Sequence, residues 1–414
     1  MKVLVVSHLY PSPGYERHLF VEEQVKAMIG LGVGVGVRVL SPRGYAPRLL
    51  WSVPRLRRRG ETPVRAVRGG VFVEYPRVPV LPRMLLAARA GDLYYASLRR
   101  LLPELRGAGI DLVHAHQAMP DGAAARRLAR ALGVPYVVTV HGRDVHHSLW
   151  GDGPLARATA LALRDAAAVV GVSSAVTRAL EGLVAPERLF VNLNGVIEAR
   201  SAAREDETAG AAPAEALSPL TAGIPAGTPV ILSVGYLLEH KGHEAVMRAL
   251  ARLPAEGRPA YVIAGDGPLA GRLAETARNL GIDRGLHLVG RRTHDEVLVL
   301  MRAADLFVLP SVDEAFGLVY AEAMSQGTPV VGCRGEGLAD FVDDGVSGFL
   351  VPGHDDEALA ALLARLLAEP ATAAAAGAAG RAAVAGLTWE GNARRQVEMY
   401  RFALGLPEAE EAAP

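Results

Sequence analysis

A chain of 414 residues exceeds the size at which one hydrophobic core usually stops growing, so two domains of roughly 200 residues are expected. Its 44 basic and 44 acidic side chains cancel, and one cysteine, Cys333, excludes an intramolecular disulfide and a cysteine-rich metal site. No charge-free apolar run reaches about 18 residues, and the apolar start of "MKVLVVSHLYPSPG" is too short for a signal peptide, so a cytoplasmic protein without a membrane span is predicted.

The zero net charge hides an asymmetry. Residues 1–195 hold 26 Lys and Arg against 14 Asp and Glu, and residues 196–414 hold 18 against 30. The first half repeats a pattern of apolar run, turn and amphipathic stretch. Its strand-like runs are Lys2–Ser7, Val33–Leu40, Asp111–His116, Pro135–Val140 and Ala167–Val172, and a helix-like segment, Phe20 to Leu31, ends at Gly32 as a C-terminal cap. Such alternation predicts a parallel sheet with helices on both faces. The glycines of "GLGVGVGV" enter a strand after a helix, the reverse of the order that sets a dinucleotide phosphate on a helix N-terminus.

The basic excess is densest from Arg43 to Arg68, where eight arginines meet one acid, Glu61, and alternate with Leu49, Leu50, Trp51, Val53 and Leu56. That mixture suits an anionic membrane surface, the other reading being a solvated basic loop; no nucleic-acid-binding motif accompanies it, so no nucleic-acid partner is expected.

The segment 196–228, rich in Ala and Pro and without periodicity, reads as a connection between a domain at 1–195 and a second at 229–385. In the second the pattern restarts with Val230–Gly235, Ala260–Gly265, Leu286–Gly290, Asp305–Pro310 and Pro329–Cys333, and turns helical from Asp355. Residues 386–414 form a last helix and tail, expected to return toward the N-terminal domain. Two doubly wound domains of this kind turn the C-terminal ends of their sheets toward a common cleft, where open α/β sheets bind ligands.

Four loops follow strands of the second half: "GYLLEHKG" (Gly235–Gly242), "GDGPL", "GRRTHDE" and "SVDEAFGLVYAEAM". Lys241, just before a helix, presents an ammonium to a phosphate. If a helix begins near Gly317 or Leu318, the N–H groups of Phe316, Gly317 and Leu318 supply donors to a diphosphate, and Gly317 permits close approach. An ionised Glu322, one turn further, accepts from both hydroxyls of a ribose, and Glu314 reaches a sugar on the other side of the phosphates.

The E-x7-E spacing in "EAFGLVYAEAMSQGTPVV", with the "VGYLLEHKG", "AGDGPL" and "VHGRDV" loops and "NGV" at the domain junction, resembles the family-4 retaining glycosyltransferases of the GT-B fold. "SHLYPSPG…FVEEQVKA" and "DLVHAHQAMPDGAAARRLA" are similar in particular to bacterial cell-surface polysaccharide transferases. The resemblance implies an α/β architecture of two Rossmann-like domains facing a central cleft. It implies transfer of a sugar from a nucleoside-diphosphate sugar, UDP before GDP, to a glycan, lipid-linked or small-molecule acceptor with retention of configuration. It also implies Glu314 on the donor sugar, Glu322 on ribose and Lys241 on the diphosphate. Gly14 is implied beside the leaving phosphate, and His141 beside the transferred sugar and acceptor. Tyr236, after Gly235, stands where the family often carries arginine, so one cationic phosphate contact is either missing or supplied elsewhere, for example by Arg291 or Arg292. Ile197 replaces a common aspartate after "NGV", and Ala315 a common glycine.

No D-x-D motif lies between a strand and its loop, so neither metal nor other cofactor is expected, and the leaving diphosphate is met by Lys241, amides and arginine. A sugar-nucleotide epimerase of the same fold, or a binder that has lost catalysis, are the alternatives.

Overall fold

The computed structural model of the protein describes residues 1–13, 18–45, 62–79, 87–196 and 223–407. Gly14, most of the basic segment (46–61) and residues 197–222 of the expected connection, Ile197 among them, lie outside them. The chain divides into two compact units, Met1–Gly195 with Leu387–Pro414, and Val196–Gly386.

The first unit is built on an eight-stranded sheet. Its strands are β1 (Lys2–Val6), β2 (Gly36–Leu40), β4 (Arg65–Arg68), β5 (Val71–Glu74), β7 (Leu112–His116), β8 (Tyr136–Val140), β9 (Ala168–Gly171) and β10 (Leu189–Val191); a separate two-stranded ladder pairs β3 (Arg43–Tyr45) with β6 (Arg77–Pro79). The order across the sheet is β10-β9-β8-β7-β1-β2-β5-β4, parallel except for the β4–β5 hairpin. Val3 to Val6 and Leu112 to His116 are buried throughout, as strands covered on both faces must be. β2 starts three residues later than the apolar run suggests, because Gly32 and Gly34 take positive φ and leave Val33 exposed. The hairpin was not legible as strands: Arg65 pairs with Glu74, directly opposite it on the partner strand, at 3.0 Å, and Arg68 with Glu22, 46 residues earlier in the chain, at 3.3 Å. Arg43 donates to the carbonyls of His8 and Tyr10. Three of the eight arginines read as a solvated or membrane-facing cluster are therefore held by the fold itself.

The helix Trp389–Ala403 completes this unit. It buries Ala393, Met399 and Tyr400 among Val25, Met28 and Leu112, and Tyr400 Oη lies 2.6 Å from His114 Nδ1. Burying one such side chain contributes about 1.5–3 kcal/mol. The entry of the helix needs Gly195, since a Cβ there would stand 2.4 Å from Trp389 N.

The second unit carries a six-stranded, all-parallel sheet of β11 (Val230–Val234), β12 (Ala260–Ala264), β13 (Leu286–Gly290), β14 (Leu306–Val308), β15 (Val330–Cys333) and β16 (Phe349–Val351), in the order β13-β12-β11-β14-β15-β16. The direction of winding reverses between β11 and β14, the topological switch point at which a doubly wound sheet opens a crevice for ligands. Cys333 is a buried thiol. Among the described residues, no single helix is long and apolar enough to cross a membrane.

Candidate active site

The loops that leave the two strands flanking the switch point carry Lys241 and Glu314. Lys241 ends a 3-10 turn, Glu239–Lys241, and Gly242 after it has φ +74° with Pro310 O only 2.3 Å from where a Cβ would sit. Val312 N–H donates to His240 O at 2.8 Å, tying the β14 loop to the β11 loop. With the two backbones fixed, Lys241 Nζ donates to Glu314 Oε2 at 2.6 Å, and only 14% of the Glu314 side chain is exposed. A charge-assisted contact of this length holds both heads in register.

Glu336, which sequence reasoning passed over, positions Glu314. Its carboxylate accepts from the N–H groups of Asp313 (3.1 Å) and Glu314 (2.7 Å), while Gly337 N–H donates to Glu314 O (2.9 Å). Gly337 has no room for a side chain, Ala315 O being 2.1 Å from a Cβ. Burial raises the Glu336 carboxyl above its ordinary value, and the two amides oppose that shift. The only sign in sequence was an acid just past β15; its partner stands 22 residues earlier.

The helix Leu318–Ser325 opens at Gly317, which has φ +87° and no side-chain cap on the turn that follows. The Gly317, Leu318 and Val319 amides thus belong to the helix start, where N–H groups lack intrahelical acceptors, with Phe316 beside them. Tyr320, held on Leu309 O, packs under Gly317. Lys241, Glu314, Phe316, Gly317 and Leu318 are therefore gathered at one end of β11 and β14. Tyr236 follows β11 and is 43% exposed; Gly235 N–H joins Ala264 O at 3.0 Å, closing the end of the sheet. Arg291 is exposed at the end of β13, with β12 between its strand and β11, and Arg292 lies 3.7 Å from Glu296.

Glu322 departs from the expected ionised state. It is 8% exposed, its carboxylate lies 3.9 Å from His294 Nδ1, and burial pushes its pKa up to about 8. At neutral pH it is a carboxylic acid with one donor and one acceptor. Because the folded state binds this proton more tightly than the unfolded chain, the stability it confers is complete below the unfolded pKa near 4.5 and is lost as pH rises through 8. Denaturant unfolding followed from pH 5 to 8.5 should show that decline, and Glu322→Gln should flatten it; an unchanged slope in the variant would assign the decline to other groups.

In the first unit a second group of polar residues collects at the ends of β1, β7 and β8. His8 donates its N–H to Asp121 Oδ2 (3.0 Å) and sets Nδ1 2.8 Å from the same oxygen. Asp144 Oδ1 accepts from Ala118 N–H (2.9 Å) and Met119 N–H (3.4 Å), fixing the loop after β7. Burial raises both acids, Asp144 to about 7. His141, the first residue past β8, lies against Phe20, with ring centroids 4.8 Å apart, and against His116. Of these, only His141 was singled out from sequence; the others become legible once β1, β7 and β8 are known to be adjacent. Among the described residues no group of three His, Cys, Asp or Glu is arranged to hold a metal ion.

The chain matches the family described as Glycosyltransferase Family 4 over residues 21–200, and that described as Glycosyl transferases group 1 over residues 221–383. It is 31% identical to the D-inositol 3-phosphate glycosyltransferase of Thermobifida fusca over 381 residues, covering 84% of this chain and 86% of the relative. With the enzyme of the same name from Corynebacterium urealyticum it shares 36% over 194 residues, so there the match spans 46% of the relative and 45% of this chain. Among solved structures it is similar to sucrose-phosphate synthase from Thermosynechococcus elongatus (TM-score 0.77, 21% identity, 97% of this chain and 98% of that one). It is also similar to Anabaena HepE in complex with UDP and glucose (TM-score 0.71, 20% identity, 97% and 99%). At that identity the likeness establishes the fold, which is GT-B. With the two family matches and a relative aligned over most of its length, the chain belongs to the family-4 glycosyltransferases.

Proposed function

We propose that this glycosyltransferase takes its sugar from a nucleoside diphosphate, UDP before GDP, and passes it to a glycan, lipid-linked or small-molecule acceptor with retention of configuration and without a metal ion. The observation that carries the reading is the Lys241–Glu314 pair at 2.6 Å beside the uncapped start of the helix Leu318–Ser325. An ammonium and a row of amides meet the charge that grows on a departing diphosphate, where preorganised donors contribute most to catalysis. Glu314 reaches the sugar hydroxyls, Glu322 takes the ribose diol, and Gly235, Tyr236, Phe316, Gly317 and Leu318 form the floor of the nucleotide site. Arg291 or Arg292 replaces the cation absent at Tyr236. The family resemblance assigns Gly14, outside the described residues, to the leaving phosphate and His141 to the transferred sugar. The binding of UDP and glucose by Anabaena HepE, and of UDP-glucose by the same protein, favours a uridine donor.

The arginines outside the described residues, Arg57 to Arg59 among them, add a contact with anionic lipid at the inner face of the membrane. The test is a thermal-shift panel of UDP-, GDP- and ADP-sugars, followed by transfer assays of the responding donor with EDTA and with and without anionic vesicles. Stabilisation by UDP-sugars, EDTA-resistant turnover with the product in the donor's anomeric configuration, and retention on anionic vesicles are expected. A response to ADP-sugars alone, inhibition by EDTA, or inversion would each overturn the corresponding part. Nucleotide binding without transfer or donor hydrolysis would leave a binder.

A further inference from the structure

The alternation His114-Ala115-His116 at the end of β7 turns both imidazoles to one face of the strand. His141 meets the second of them. His116 Nδ1 and His141 Nε2 are 3.0 Å apart, with the ring planes within 13° of each other and the centroids 5.3 Å apart, so the two rings meet edge to edge. On its other side His116 lies against His114, whose ring centroid is 4.4 Å away and whose own nitrogens are occupied, Nε2 by Thr139 Oγ1 at 2.8 Å and Nδ1 by Tyr400 Oη at 2.6 Å. His116 is 1% exposed, and its buried Nε2 has no hydrogen-bond partner among the described residues.

Two neutral imidazoles in such a contact share one hydrogen, and the surroundings of the remaining nitrogens decide which ring supplies it. If His141 donated through Nε2–H, His116 would carry its own hydrogen on Nε2 and bury an N–H with nothing to accept it. Buried orphan donors of that kind are rare because they forfeit a full hydrogen bond to water. If His116 donates through Nδ1–H, only a ring lone pair is left dry.

We propose that His116 is a positioning residue: it donates Nδ1–H to His141 Nε2 and so holds His141 as the neutral Nδ1–H tautomer, which offers a sugar hydroxyl a donor and no base. Burial keeps both imidazoles well below their ordinary pKa, each further lowered by a neighbouring histidine, His114 for His116 and His116, His18 and His8 for His141. The catalytic consequence rests on the assignment of His141 to the transferred sugar; the tautomer does not.

Long-range proton–nitrogen correlation on the full-length protein with 15N-histidine, His141 being assigned by its loss in His141→Gln, reads the tautomer directly. A pyrrole-type Nδ1 and a pyridine-type Nε2 are expected at His141. The amide of His116→Asn can replace the Nδ1–H donor, so this variant should keep the His141 tautomer and most of kcat. His116→Leu should lose about tenfold in kcat, with the donor KM within twofold, the loss expected for one hydrogen bond felt at the transition state. An Nε2–H tautomer at His141 in the unmodified protein overturns the proposal without reference to any variant. The expected tautomer with an unchanged kcat in His116→Leu overturns the positioning role, and a silent His141→Gln as well would overturn the placement of His141 at the sugar.

Discussion

Lys241→Ala should lower kcat for sugar transfer by about two to three orders of magnitude, the cost of removing one preorganised charge-stabilising group from a transition state. The melting temperature should fall by only a few degrees. Lys241 is partly exposed, and the Glu314 carboxylate it leaves behind retains some access to water and keeps its backbone anchored by Glu336. The contrast between the two readouts is the content of the prediction. A fold-only role would move stability and activity together, whereas a phosphate contact moves kcat far more. Steady-state kinetics on the responding donor, beside thermal unfolding, decides it; a kcat within fivefold of the parent would remove Lys241 from the chemistry.

The second large effect is on stability. Gly265, the residue that follows β12, has Gly235 O only 1.8 Å from where a Cβ would stand, while its own N–H donates to Gly290 O at 2.9 Å. The backbone ends of β11, β12 and β13 are thus in direct contact, and neither carbonyl nor strand can retreat without breaking the ladder. Gly265→Ala should destabilise the C-terminal unit by about 3 kcal/mol or more, in the range of severe overpacking, and should reduce the thermal shift given by nucleotide. Gly271→Ala is the matched control. It lies in the helix Ala270–Asn279 with nothing within 4 Å of the added carbon, and helix propensity there favours alanine by up to about 1 kcal/mol. Equal denaturant midpoints for the two variants would refute the close-approach argument.

The two kinds of residue at the site were unequally legible in the sequence. Runs such as Val230–Val234 and Ala260–Ala264 announce buried parallel strands because both faces are apolar, and the turns after them locate Lys241 and Glu314. The helix start at Leu318 follows from one glycine and a change of period. What the sequence conceals is contact across long separations. Glu336 reaches back to Asp313 and Glu314, and Arg68 to Glu22, so acids that look like ordinary surface charge turn out to organise loops and hairpins. Protonation is hidden for the same reason. Glu322 reads as a carboxylate in one dimension and is a carboxylic acid at neutral pH because the helix packing around it removes water.

The helix Trp389–Ala403 gives the chain an unusual schedule of assembly. The first unit consists of residues 1–195 and 387–414, so synthesis begins one body, makes all of the other, and only then delivers the part that seats Ala393, Met399 and Tyr400 in the first. On the ribosome the N-terminal body therefore waits with Met28, on the helix Leu19–Gly30, and His114, on β7, lacking their contact with Tyr400 through the manufacture of nearly two hundred further residues. The body that is started first is the one finished last, and a chain cut anywhere between the two units would leave it with a missing wall.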